Sequence, residues 1–172
     1  MVTIRAEISI DVGVREGLLN AGFGAARFRK TSEKLRKNRV PAFAFTATDD
    51  GGRVVGTVRL WNIIAGSAGP SLLLGPLAVD ASSQGRGIGA ALMNQAIATA
   101  RASDFESILL VGDLAYYSRF GFSQGLTRKL HLPGPVDRAR FLGLELVEQA
   151  LDGAEGLIAA SGAEIAALAV AA

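Results

Sequence analysis

The chain has 172 residues, 49% of them hydrophobic, with 18 lysines and arginines against 16 aspartates and glutamates. This length and composition predict one globular domain over residues 1–172 and exclude disorder as the dominant state. The net charge is only +2, so nucleic acid or a membrane could be attracted only by a local patch of charge. Cysteine is absent and His131 is the single histidine, which excludes disulfide scaffolds, thiol nucleophiles and thiolate zinc sites, so we expect no metal.

The first half of the chain predicts a strand, helices and a meander. Apolar and polar residues alternate over residues 2–10, which predicts a strand, and the pattern of apolar residues over 11–38 predicts one or two helices. Two runs rich in β-branched and aromatic residues, 42–48 and 53–64, flank an Asp-Asp-Gly-Gly turn and predict a hairpin. A second turn at 65–70 leads to another apolar run at 71–79, so these three strands form a meander.

The apolar run at 71–79 contains Gly75 and Pro76. Proline cannot donate to a strand ladder, so this strand is predicted to bulge or to stop pairing there. A helix follows from the glycine loop at 84–89 to about residue 102, and residues 107–112 predict a parallel strand after it. The result is a βαβ unit within an α+β fold that has a mixed sheet.

The remainder of the chain gives weaker patterns. Residues 116–120 predict a short helix, and 125–132 and 140–146 predict strands joined by a Pro-Gly-Pro turn. The alanine-rich tail, 157–172, is too interrupted for a membrane span, so we expect it to be packed or frayed. No secretory signal is recognised at the N-terminus, and we expect a cytoplasmic protein that does not bind membranes.

Three glycines, Gly85, Gly87 and Gly89, precede the predicted helix. A helix N-terminus has unpaired N–H groups and the positive end of the helix dipole, and glycines let a phosphate approach it closely. Their spacing fits neither the dinucleotide fingerprint nor the P-loop. Alone, such a loop is equally consistent with simple turn chemistry.

Taken with its flanks, this loop resembles the GNAT superfamily of acyl-CoA-dependent N-acetyltransferases. The family signature Gln/Arg-x-x-Gly-x-Gly/Ala is met by Gln84, Gly87 and Gly89, and the downstream Tyr-x-x-x-Gly-Phe pattern runs from Tyr117 to Phe122. The resemblance is strongest over residues 71–122 and weak beyond them.

The resemblance implies a sheet flanked by helices. In this sheet the fourth strand is bulged and separates from the fifth, and the pantetheine of acetyl-CoA lies in the gap between the two strands. The backbone of Leu77, Ala78 and Val79 would bind the pantetheine amides. The N–H groups of the loop would hold the pyrophosphate, and the loop residues are Gln84, Gly85, Arg86, Gly87, Ile88, Gly89 and Ala90.

The resemblance also implies that Tyr117 is a general acid that protonates the departing thiolate. The alternative role for Tyr117 is aromatic packing in the short helix, and we interpret Tyr116 as packing in the core or along the cofactor. Asp113 lies where relatives often place a cofactor-contacting asparagine, although the loop here is shorter. Arg119 either meets the cofactor phosphates or is solvated.

No carboxylate in residues 71–79 suggests itself as the general base. His131 is the only imidazole available as a base, but a lone histidine is more often a surface or packing residue. Glu145 and Asp113 are weaker candidates.

Residues 27–39 form a basic cluster in which seven lysines and arginines accompany Glu33 alone. We interpret it first as a solvated helix face. Because the first helices border the acceptor site in this family, an anionic acceptor or partner is the second interpretation. Nucleic acid is a less favoured partner because Phe28 is the only interleaved aromatic residue.

The sequence therefore predicts an N-acetyltransferase that moves an acetyl group from acetyl-CoA to a primary amine by direct attack in a ternary complex. The amine belongs to a small molecule, a peptide or a protein, and a backbone N–H near Val79 would stabilise the oxyanion. The alternative function is a non-catalytic acyl-CoA-binding sensor or interaction module, which the lack of a clear base favours and Tyr117 opposes. A homodimer is the assembly that the family suggests.

Overall fold

The computed structural model describes residues 1–166, which contain an open mixed sheet of eight strands flanked by helices. The strands are β1 (Thr3–Ala6), β2 (Phe43–Thr48), β3 (Val54–Ala65), β4 (Pro70–Val79), β5 (Ser107–Val111), β6 (Lys129–His131), β7 (Phe141–Glu145) and β8 (Glu155–Ala160). The helices are α1 (Asp11–Phe23), α2 (Glu33–Arg36), α3 (Ile88–Ala102) and α4 (Leu114–Tyr117). The predicted α+β class is confirmed.

The predicted meander is present, since β1, β2, β3 and β4 pair antiparallel in that order. After the crossover through α3, β5 pairs parallel with β4, and β7 pairs antiparallel with β5. β8 lies antiparallel along the end of β3 and parallel to β6. The βαβ unit is therefore at the centre of the sheet.

Both faces of the central strands are buried. On β4, Leu72 and Leu74 pack in the core cluster that contains α3, whereas Leu73 packs in the cluster on the opposite face with Leu35 of α2. Residues of β5 alternate in the same way. This two-sided burial explains why these strands read as continuous apolar runs and not as alternating ones.

β4 bulges and then separates from β5. Gly75 and Pro76 together lie opposite the single residue Arg59 of β3, which is the register shift of a bulge. The parallel pairing with β5 involves only Leu72 and Leu73 of β4. The predicted bulge and splay are confirmed, and the remainder of β4 leaves its edge toward β5 open.

One buried hydrogen bond holds the bulge, because the indole Nε1 of Trp61 donates to the carbonyl of Gly75 at 2.7 Å. Replacement of Trp61 by Phe keeps an aromatic ring but leaves this buried carbonyl without its donor. We expect Trp61→Phe to lower the free energy of unfolding by about 1–3 kcal/mol, measured by urea denaturation. An unchanged transition midpoint would show that the bond contributes nothing to stability.

The prediction of a strand over residues 2–10 is wrong beyond Ala6. The Asp11 carboxylate accepts the backbone N–H of Ile8 at 2.8 Å and pairs with the Arg5 guanidinium at 2.6 Å. These contacts turn the chain into α1, and Ile10 is left 81% exposed.

The last third of the chain also differs from the prediction. The predicted strand over 125–132 is extended only over β6, because Gly125–Thr127 forms a 3-10 turn in which the Thr127 hydroxyl donates to the carbonyl of Phe141 at 2.7 Å. β6 and β7 do not pair with each other. Part of the tail is packed as β8, and residues 167–172 of that prediction lie outside the described residues. Within residues 1–166, no helix is both long and apolar enough to cross a bilayer.

Candidate active site

The gap between β4 and β5 opens into two adjoining cavities. The first, of about 610 Å³, lies between the β4 bulge, the end of β5 and the segments around residues 23–36 and 132–140, and we call it the bulge cavity. The second, of about 430 Å³, lies at the start of α3, and we call it the glycine-loop cavity. Leu77 and Tyr116 line both, so the two cavities are neighbours, and we call the pair the crevice.

The glycine-loop cavity gathers most of the predicted cofactor residues. Gly85 and Gly87 have φ values of 75° and 76°, a region that favours glycine. Over residues 1–166, no side chain caps the N-terminus of α3, so its first N–H groups are left for a ligand. From the predicted loop set, the cavity is lined by Gln84, Gly85, Gly87, Ile88, Gly89 and Ala90.

Of the three predicted strand residues, two line the glycine-loop cavity and one is buried in the core. Leu77 and Val79 line the glycine-loop cavity beside the loop. Ala78 is 8% exposed, packs toward the core and lines neither cavity. Arg86 is exposed and also lines neither, so the structure does not bring Ala78 or Arg86 to the wall of either cavity.

Arg119 supplies the positive charge of the glycine-loop cavity. Its Nε donates to the carbonyl of Tyr116 at 3.0 Å, and its guanidinium lies 4.6 Å from the centre of the Tyr116 ring. Among the described residues it forms no ion pair. A free guanidinium and unpaired N–H donors in one cavity are the groups that bind a polyphosphate.

Tyr117 lines the bulge cavity. The Asp113 carboxylate accepts the N–H of Ala115 at 3.2 Å and so begins α4, which carries the tyrosine. A Cβ on Gly112 would overlap Cε2 of Tyr117, so the absence of a side chain there lets the ring pack against the end of β5. The Tyr116 and Tyr117 rings also pack edge to face, with 4.9 Å between the ring centres, and this contact helps to hold the Tyr117 ring in place.

Burial raises the pKa of the Tyr117 hydroxyl to about 12. The neighbouring Tyr116 and Asp113 act in the same direction, and Arg140 partly opposes them. The phenol therefore stays protonated across the physiological pH range and can donate a hydrogen bond or a proton.

The bulge cavity carries an excess of positive charge. Five of its lining residues are basic and three are acidic, and these residues are Arg27, Arg29, Lys30, Arg36 and Arg140 together with Glu33, Asp113 and Asp137. The acidic residues are engaged: Glu33 pairs with Arg36 at 3.2 Å, and Asp137 accepts the N–H of Ala139 at 3.0 Å.

The interpretation of residues 27–39 as a solvated face is therefore wrong for two of them. Arg27 is 8% exposed and the Arg36 side chain is 9% exposed, and both line the bulge cavity. Lys37, by contrast, is exposed and lines neither cavity. The charge density was visible in the sequence, but the contact that buries this segment was not. That contact includes the hydrogen bond from Lys34 to the carbonyl of Pro133 at 3.0 Å.

The candidate bases from the sequence are scattered. Asp113 lines the bulge cavity, whereas His131 is exposed on β6 and Glu145 accepts the N–H of Leu151 at 3.2 Å on β7. Sequence reasoning missed Glu33 and Asp137 as carboxylates of this cavity. In the part of the chain that the structure describes, no group of three or more His, Cys, Asp or Glu side chains could hold a metal ion.

Comparison with known proteins decides the family. The model described as "Acetyltransferase (GNAT) family" matches residues 15–122, more than half of the chain. The chain belongs to the GNAT acetyltransferase family. The GNAT resemblance predicted from the sequence is confirmed.

Two GNAT relatives span nearly the whole chain. The Escherichia coli (strain K12) protein named "Uncharacterized N-acetyltransferase YhbS" is 30% identical over 156 residues, which are 90% of this chain and 93% of that protein. The crystal structure of Escherichia coli YhbS in complex with CoA has a TM-score of 0.79 and 28% identity, covering 93% of this chain and 89% of that one. A GNAT acetyltransferase from Brucella melitensis in complex with acetyl-CoA has a TM-score of 0.69 and 26% identity, with 94% and 96% covered.

Proposed function

We propose that this GNAT protein transfers an acetyl group from acetyl-CoA to a primary amine by direct attack within a ternary complex. The observation that carries the proposal is the pair of neighbouring cavities at the gap between β4 and β5, one with uncapped N–H groups and the other with the protonated Tyr117. The complexes of two relatives with CoA and acetyl-CoA support a CoA-type co-substrate.

Acetyl-CoA would supply the acetyl group as a thioester. In the proposed complex the backbone from Gln84 to Ala90 holds the pyrophosphate, with Arg119 adding a charge-assisted contact. The backbone from Leu77 to Val79 binds the pantetheine amides, because β5 does not pair with this part of β4. The pantetheine then runs through the gap toward the bulge cavity.

The chain's own groups would act at three reacting atoms, namely the thioester oxygen, the sulfur and the amine nitrogen. A backbone N–H near Val79 donates to the thioester oxygen, where negative charge develops during attack by the amine. Tyr117 donates its proton to the sulfur as the carbon–sulfur bond breaks. Of the bases considered from the sequence, Asp113 alone lines the bulge cavity, and it is our candidate for removing the amine proton through water.

The alternative is a non-catalytic module that binds acyl-CoA as a sensor or interaction domain. One observation favours it, namely that the cavity carboxylates already have partners within the protein. A thiol-release assay over a panel of amines separates the two functions, because only the enzyme produces free CoA in step with acetylated amine. A homodimer and a cytoplasmic location remain predictions from the sequence.

The proposed co-substrate leads to a thermal-shift prediction. A ligand that binds only the folded state at 100 times its Kd stabilises that state by about 2.7 kcal/mol. For a chain of this size, we expect acetyl-CoA to raise Tm by about 5–10 °C in scanning calorimetry. Acetyl-pantetheine, which lacks the pyrophosphate, is the control and should give a smaller shift at equal concentration. No shift with millimolar acetyl-CoA would contradict the proposal.

A further inference from the structure

The Arg36 side chain is buried at the wall of the bulge cavity and is only partly paired. It is 9% exposed, and its Nη2 contacts the Glu33 carboxylate at 3.2 Å and the Ser32 hydroxyl at 3.4 Å. Its buried Nε has no hydrogen-bond partner among residues 1–166. A buried donor without a partner costs free energy, so this guanidinium has N–H groups left with which to bind a further ligand.

Arg36 lines the same cavity as Tyr117, the proposed general acid. Its Nη1 lies 3.8 Å from the position that a Cβ on Gly75 would take, so the guanidinium stands beside the β4 bulge. Gly75 and Tyr117 line the same cavity. A group bound to Arg36 would therefore share this cavity with Tyr117.

Three further cations of the cavity have no acidic partner in the described part of the chain, and they are Arg29, Lys30 and Arg140. Partial removal from water lowers the pKa of the Lys30 ammonium, and the positive charges of Arg36 and Arg140 lower it further. Burial also lowers the pKa of the Arg36 guanidinium, while Glu33 partly offsets this. These cations repel one another, and an anion between them would relieve that repulsion.

The size of the cavity favours a small ligand over a macromolecule. Its volume of about 610 Å³ falls within the usual range of small-molecule sites. The guanidinium geometry suits an oxyanion, either a carboxylate or a phosphate.

We propose that the acceptor is a small amine that also carries an anionic carboxylate or phosphate group, and that Arg36, aided by Lys30 and Arg140, binds this group. The inference rests on the proposed acetyltransferase function and names its substrate class. Arg36 is thus a specificity-determining residue, which holds the anionic end while the amine faces the thioester.

Matched amines test the inference through kcat/KM for thiol release at saturating acetyl-CoA. The panel pairs each of several amino acids with its amide, and phosphoethanolamine with ethanolamine, so that its arms distinguish a carboxylate from a phosphate. We expect the anionic member of at least one pair to be preferred by about 10- to 100-fold, the range of hydrogen bonds to a charged group.

The variants assign that preference to Arg36. We expect Arg36→Gln to lower kcat/KM for the preferred anionic amine by about 10- to 100-fold more than it lowers kcat/KM for the neutral partner. Comparing variant with wild type on each amine cancels differences in amine basicity. Arg36→Lys should retain part of the preference. Lys37→Gln, which removes an equal charge from the exposed side of the same segment, is the matched control and should behave as wild type.

The outcomes separate the inference from the function on which it rests. Wild-type protein that acetylates neutral amines at least as well as their anionic partners, or an anionic preference unchanged in Arg36→Gln, would overturn the inference and leave the acetyltransferase intact. Binding of acetyl-CoA without acetylation of any amine would overturn both. If Arg36→Gln fails to fold, Lys30→Gln at the exposed edge of the cavity carries the same test, with a fall of about 2- to 10-fold for anionic amines.

Discussion

Replacement of Tyr117 by Phe is expected to lower kcat by about 10²- to 10⁴-fold, the usual effect of losing a general acid. The substitution keeps the ring that packs over Gly112 and against Tyr116, and it removes only the hydroxyl. Because the fold and the crevice persist, the rise in Tm that acetyl-CoA produces should be the same as in the wild type. A thiol-release assay paired with a thermal-shift titration measures both effects.

The pH dependence sharpens this test. With a pKa of about 12, Tyr117 does not titrate between pH 6 and 9. Any ionisation in the wild-type pH–rate profile over that range therefore belongs to another group, and it should persist in Tyr117→Phe. Equal turnover of the two proteins would show that Tyr117 only packs, whereas loss of acetyl-CoA binding would make it part of the cofactor wall.

Valine at Gly89 or Gly87 is expected to weaken acetyl-CoA binding by at least about 100-fold, which corresponds to the loss of one or two charge-assisted hydrogen bonds. At Gly89, a Cβ would stand 2.7 Å from the Tyr116 hydroxyl and narrow the glycine-loop cavity. Gly87 lines the same cavity, a Cβ there would meet nothing within 4 Å, and the φ of 76° adds strain of roughly 1–2 kcal/mol. Isothermal titration calorimetry measures the affinity.

Two controls separate blocked binding from lost stability. Gly87→Asn adds a Cβ but tolerates the left-handed backbone, so it should weaken binding with little strain. Gly17→Val lies on the exposed face of α1, where a Cβ meets nothing within 4 Å, and it should bind acetyl-CoA as the wild type does. Wild-type affinity in both Gly87→Val and Gly89→Val would place the pyrophosphate elsewhere.

The features that the sequence predicted well are those encoded by neighbouring residues. Proline has no N–H to donate to a strand ladder in any fold, and the bulge is found at Gly75 and Pro76. The glycine loop likewise leads directly into α3, with Gly87 at the N-cap position in a left-handed conformation. Such signals need no knowledge of distant contacts.

The features that the sequence missed depend on distant parts of the chain. The burial of Arg36 follows from packing of its segment near residues 132–140, about 100 residues away, a contact that the Lys34 to Pro133 hydrogen bond marks. β8 is another example, because its pairing with β3 is a matter of topology, and the sequence of the strand, Glu155–Ala160, resembles a flexible alanine-rich tail. Charge density alone could not distinguish a solvated arginine from a cavity arginine.

The two cavities draw largely on different stretches of chain, although they meet at Leu77 and Tyr116. The glycine-loop cavity is built from residues 77–119, whereas much of the bulge cavity comes from 23–36 and 132–140. Mutations in those outer segments can therefore accumulate without disturbing the loop at the start of α3. Under the proposed function, evolution or protein engineering could exchange the outer segments and so change which amine is accepted, while the glycine-loop cavity that would bind acetyl-CoA stays unchanged.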